Sequence, residues 1–172
     1  MSRQSGFSVL SLLLLVAALL AGLAFVLVGT GPNIQGQLNA QSTAQLVAQA
    51  QLVVHRITKC ATDYPNGNNG TGLHRAYPLD ANPGALAVVS LVCPGSGQNL
   101  WNGVDGVYAP APINGFAAWT YTHASPALIS IQTLQPASYA AAIATAATRI
   151  GAAASTATTS VAGDTLNIKV IE

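Results

Sequence analysis

Charge is what this sequence has least of. Among 172 residues, six are Lys or Arg and five are Asp or Glu, for a formal net charge of +1. So few cations build no basic field to hold a phosphate backbone, and nucleic acid is not an expected partner. Between Arg3 and His55 there is no ionisable side chain at all. Cysteine is scarce too: Cys60 and Cys93 are the only two, without a CxxC arrangement or a His at ligand spacing, so no metal-binding or redox motif is written here. No catalytic constellation emerges, because His55, His74 and His123 fall on a helix end, a loop and a strand, and Asp63, Asp80, Asp105 and Asp164 keep no fixed spacing to them. All three histidines read as surface or packing residues. DYPNGNNG, 63–70, is oxygen-rich like a calcium loop, but Pro65 stands where a ligand is needed, and a turn is the better reading. Asn69-Gly70-Thr71 matches a glycosylation acceptor only formally and is given no role.

What the chain has instead of charge is one long apolar run. Phe7 to Val28 is uncharged throughout, and 15 of these 22 residues are Leu, Val or Phe. As a helix it reaches about 33 Å, enough for a hydrocarbon core of about 30 Å. At about 0.3 to 0.6 kcal/mol for each large apolar residue, insertion is favoured by several kcal/mol. A cleaved secretory signal is the competing reading, since Arg3 is a minimal charged n-region and Gly22-Leu23-Ala24 offers small residues for cleavage. Against it, the run exceeds the usual 7 to 15 residues and continues through Phe25-Val26-Leu27-Val28. A plain membrane anchor is the third possibility.

Gly29-Thr30-Gly31-Pro32 is expected to break or loosen the helix, with Asn33 as N-cap of a second one. In that second helix Leu38, Ser42, Leu46, Ala50, Val53 and Ile57 recur at spacings of three and four and form one face. Gln35, Gln37, Gln41, Gln45 and Gln49 form an uncharged polar face opposite, read as solvated. His55, Arg56 and Lys59 are expected in the last turn, where the helix dipole favours cations. Residues 61–84 are rich in Gly, Pro, Asn and Asp and read as a long loop. ALAVVSLV, 85–92, reads as a buried strand, and FAAWTYTH, 116–123, and ALISIQTL, 127–134, as a hairpin turning at Ser125-Pro126. Tyr139, Ile143, Ala147 and Ile150 lie at helical spacing after Pro136, with Gly151 as the stop. Residues 151–164 read as a low-complexity loop, and TLNIKVIE, 165–172, as a closing edge strand. Trp101 and Trp119 are expected in the core. An exported topology favours a disulfide between Cys60 and Cys93, two buried free thiols being the alternative. Closing that loop is worth roughly 3 to 4 kcal/mol on the chain-entropy model and ties the long helix to the first strand.

A six-residue leader containing Arg3, then Gly6-Phe7 and an apolar helix, resembles the class III leader of type IV pilins and of the pseudopilins of type II secretion. The resemblance covers residues 1 to about 60; the head matches in layout alone. It implies an α+β, pilin-like fold, in which a long N-terminal helix with a membrane half and an amphipathic half packs on a small antiparallel sheet. Its parts are a leader at 1–6, a spanning and assembly helix at 7–28, an amphipathic helix at 29–60 and a globular head at 61–172. The resemblance further implies cleavage after Gly6 by a prepilin peptidase and methylation of the new terminal Phe7. Other pilin or pseudopilin subunits are the implied partners. The inner membrane is the implied location before assembly, and a periplasmic or extracellular filament of a bacterial cell after it. Neither enzymatic activity nor a cofactor is implied.

Ser11 departs from the family pattern. Most members carry Glu four residues beyond the methylated Phe, where it neutralises the amino terminus of a neighbouring subunit. A carboxylate at a spanning helix's centre costs about 2.5 to 3.5 kcal/mol, and Ser removes both that cost and the pairing. The tip subunit commonly lacks this Glu, so Ser11 points to a minor subunit, although tip pseudopilins usually have larger heads. Gly22 would allow close helix approach during assembly. A secreted or singly anchored binding domain with an ordinary Sec signal is the alternative of a different class.

Overall fold

The computed structural model describes residues 5–64, 77–78, 85–122, 127–153 and 157–170, with side chains from residue 34 onward. The chain divides into two units, residues 1–38 and 39–172. Helix α1, Ser5–Asp63, supplies all the described structure of the first unit and runs on into the second. The expected break at Gly29–Pro32 and the N-cap at Asn33 are therefore corrected: the helix passes through both. Proline forfeits one i→i−4 hydrogen bond, and one missing bond among 59 residues does not end the helix. Among the described residues no helix is long and apolar enough to cross a membrane. The run 7–28 lies outside the residues whose side chains are described.

The second unit is α+β, with the C-terminal half of α1 packed on an antiparallel sheet. After α1 come β1 (Leu86–Ala87), β2 (Val92–Cys93), β3 (Gln98–Asn99), β4 (Thr120–Thr122), β5 (Leu128–Gln132), α2 (Pro136–Ala153), β6 (Ala157–Ala162) and β7 (Thr165–Val170). The main sheet has the order β1-β4-β5-β7-β6, and β2 pairs with β3 in a separate small hairpin. All pairings are antiparallel. The register sets Tyr121 beside Ile129, Ile129 beside Ile168, and Ile131 beside Leu166, so β4, β5 and β7 share one apolar, buried face. The other face carries Thr120, Ser130, Asn167 and Ser160 in a row across four strands, with a hydrogen bond from Ser130 Oγ to Asn167 Oδ1 of 2.7 Å.

The periodic stripe of α1 is the part of the core that comes from outside the sheet. Ser42, Leu46, Ala50, Val53 and Ile57 are buried as expected, whereas Leu38 is exposed. On α2, Tyr139, Ile143, Ala147 and Ile150 are buried as their spacing predicts, and Trp101 and Trp119 lie in the core. Gly151 is a correction: α2 continues through it to Ala153. A Cβ there would sit 2.9 Å from Thr159 Oγ1, so the glycine admits β6 against the helix instead of stopping it. Gly115 has a firmer requirement, with φ +81° and Tyr139 Cε2 at 2.3 Å from any added Cβ.

Four further expectations need correcting. Residues 85–92 are two short strands separated by a 3-10 turn at Val88–Ser90, because Val88 and Leu91 are buried while Val89 and Val92 are exposed, a period of three instead of two. Within the stretch expected as a loop, β6 occupies Ala157–Ala162, since Thr158, Thr159 and Val161 are β-branched residues suited to a strand. β7 consequently lies inside the sheet, and β6 takes the edge. The last turn of α1 holds no basic residue, because the helix runs on to Asp63, beyond His55, Arg56 and Lys59. The hairpin of β4 and β5 is present, with 116–119 outside the strand apart from one bridge, Phe116 to Thr133. Its turn at Ser125-Pro126, His123, His74, Asp80, the 65–70 part of the oxygen-rich loop and the Asn69 triplet lie outside the described residues.

Ile129 sits in the central strand of this core with no exposure. Ile129→Ala should lower unfolding free energy by about 2 to 5 kcal/mol, read from urea denaturation with an unchanged m-value.

Candidate functional site

Along one flank of α1's buried stripe lies a row of residues that bind the helix to the loops of the head. Gln49, Arg56 and Cys60 are separated by seven and four residues, so they fall on one side of the helix. Gln49 uses its amide twice: Nε2 donates to the Ala111 carbonyl at 2.7 Å, and Oε1 accepts from Trp119 Nε1 at 2.8 Å. The solvated role expected for the Gln face therefore fails at this residue, while Gln35, Gln37, Gln41 and Gln45 are exposed. Higher up, buried Thr43 makes a long 3.4 Å bond to the Ala142 carbonyl of α2.

Arg56 is the polar centre of the row. Its guanidinium grips Asp105 with both terminal nitrogens, at 2.5 and 2.6 Å, and its side chain is only 10% exposed. The group also lies 6.0 Å from the centre of the Trp101 ring, at the limit of a cation–π contact. Trp101 in turn is fixed by Nε1 donating to the Val88 carbonyl at 2.7 Å. The hydrogen bonds from Arg56 hold the Asp105 carboxyl below its ordinary range, against a smaller opposing effect of desolvation. Asp164, in the turn between β6 and β7, is also lowered, chiefly by the Gln132 side-chain amide donating at 2.9 Å.

Cys60 and Cys93 are joined, with Cα atoms 5.8 Å apart. The bridge ties α1 to β2 and not to the first strand of the chain. Around it opens a shallow cleft of about 220 Å³, lined by Arg56, Lys59, Tyr64, Ser96, Asn99 and Asp105 among others. Its charges are paired within the site, Arg56 with Asp105 and Lys59 with Asp63. Its amides are also engaged: Asn99 donates to the Val89 carbonyl and accepts from the Trp101 N–H, and Asn102 donates to Gln98. Most polar groups of the cleft thus engage one another; the exception is the buried Nε of Arg56, which has no hydrogen-bond partner among the described residues. Among the described residues no group of three or more His, Cys, Asp or Glu stands together to hold a metal ion.

Of the residues singled out from the sequence, Cys60 and Cys93 are thus brought together. Gly6, Phe7, Ser11 and Gly22 all lie on α1, and their side chains are outside the described residues. From the sequence Gln49 reads as solvated, and nothing pairs Arg56 with Asp105. One Gln among five carries no mark of burial, and Asp105 lies in a glycine-flanked turn 49 residues from its partner.

No family model, no curated protein and no solved structure matches the chain.

Because Asp105 has a depressed carboxyl pKa in the folded protein, its contribution is present above the unfolded carboxylate value, about 3.9, and is lost as pH falls through the lower folded value. Asp105→Asn should therefore melt below the native protein at pH 7, and the gap should close on acidification below about pH 4. Calorimetry across that range checks it.

Proposed function

We propose that this chain is a structural subunit, a minor pilin or pseudopilin, of a type IV pilus or a type II secretion-like filament, and that it is not an enzyme. The observation that carries this reading is Gly6-Phe7 at the head of a 22-residue uncharged run that leads into a helix built into an α+β head. Each part suits the task. The apolar run supplies lateral packing between helices, where small residues such as Gly22 permit close approach. The row at Gln49, Arg56 and Cys60 couples that helix to the loops of the head at several points, so a load on the helix reaches them. The pairing of the cleft's charges, Arg56 with Asp105 and Lys59 with Asp63, favours a structural role over turnover of a substrate.

In this reading a prepilin peptidase removes residues 1–6 at the inner membrane, Phe7 becomes the methylated terminus, and the mature chain enters a periplasmic or extracellular filament with other pilin-like subunits. Ser11 in place of a carboxylate favours a subunit that needs no partner ahead of it, and therefore a scarce one.

Intact mass of the exported protein should correspond to a chain beginning at Phe7, and a bulky substitution of Gly6 should leave the precursor uncut. A terminus after Ala24 would instead establish a Sec-exported binding domain, and retained Met1 a plain anchor. Proteomics of sheared filaments should find this chain as a small fraction of the main subunit. Dominance there would overturn the minor role while leaving the family reading intact.

A further inference from the structure

The main sheet ends differently on its two sides. β1 is two residues long and passes directly into a 3-10 turn, so it offers little free backbone. β6 runs for six residues, with β7 on one side and no strand on the other among the described residues. Its sequence, ATTSVA, contains no charge and no proline, and its register with β7 continues from Ala157–Val170 to Ala162–Thr165 without a bulge. Four devices that keep a sheet edge from pairing, namely shortness, Lys, Pro and bulges, are absent from β6, and no strand covers it among the described residues. Thr158, Ser160, Val161 and Ala162 are exposed. Val161 is 44% exposed although it stands on the apolar face, beside Leu166.

We propose that β6 is the interface for a second copy of this chain, paired antiparallel, edge to edge, about a two-fold axis. An open edge presents N–H and C=O groups that only another strand satisfies in full, and two identical antiparallel strands do so reciprocally. An uncharged strand suits itself as a partner, since no like charges meet across the axis. With Ser160 on the axis, Val161 faces the second copy's Thr159, a β-branched pair that covers the exposed valine. The pairing also closes. β1 is too short to receive β6, so the sheet stops at two copies and does not grow into a fibre. The proposal stands on the edge strand alone and does not rest on the filament reading; a mature terminus other than Phe7 leaves it untouched.

The purified full chain in detergent, with its native disulfide kept, provides the test. Single cysteines are placed at Thr158, Ser160 and Ala162, which alternate onto the solvent face, and at Val104, an 86% exposed loop position, as control. Residues opposite each other across an antiparallel pair have Cα atoms about 4.5 to 5.5 Å apart, within disulfide range. The expected results are a dimer mass by light scattering, oxidative crosslinking concentrated at the β6 position on the axis and absent at Val104→Cys, and loss of the dimer mass in Ser160→Lys. A monomer mass throughout would overturn the proposal. So would crosslinking no stronger on β6 than at Val104→Cys, or a dimer that Ser160→Lys leaves intact.

Discussion

The head depends on burying one uncharged stripe of α1. The sheet has a single apolar face, formed by Tyr121, Ile129, Ile131, Leu166, Ile168 and Val170, and a sheet with one such face is unstable until something covers it. Leu46, Ala50, Val53 and Ile57 of α1 share that cover with Tyr139, Ile143, Ala147 and Ile150 of α2. The C-terminal half of α1 accordingly belongs to the core of the head. Any displacement of α1 therefore acts directly on the sheet.

Polar and covalent contacts then fix the register of this packing. Apolar burial alone is non-directional, and a smooth Leu/Ala/Val stripe tolerates sliding. Gln49 answers Trp119 and Ala111, Arg56 answers Asp105 with two bonds, and Cys60 is covalently held to Cys93. Each partner lies in an irregular segment or a two-residue strand, where little other structure fixes position. The same row that holds the helix thus also orders the loops, and the buried guanidinium of Arg56 makes the Asp105 contact costly to lose.

Periodicity was legible wherever one face is buried and one wet. The stripe 42–57 of α1, the four buried positions of α2 and the β4–β5 hairpin all follow from spacing. It misled where burial comes every third residue, as in Val88, Val89, Leu91 and Val92, which look like a continuous apolar strand but turn through a 3-10 segment. It is silent for β6, because Ala, Thr and Ser carry little hydrophobic contrast, and the edge strand reads as a loop. Punctuation by Gly and Pro also failed twice. Gly151 and Pro32 sit inside helices, the first for packing against Thr159 and the second at the cost of a single hydrogen bond. Of the site, the Cys60–Cys93 bridge is expected if the chain is exported, while Gln49 and Asp105 depend on tertiary contacts that no local pattern announces.

Native-state hydrogen exchange on the full chain tests most directly whether α1 is a core element of the head. Amides of residues 46–57 should exchange only through global unfolding, with the same free energy and the same denaturant dependence as those of Ile129, Ile131, Leu166 and Ile168. Exchange of 46–57 through a lower-energy opening, while β5 and β7 stay protected, would show a sheet that stands without the helix and would contradict the account.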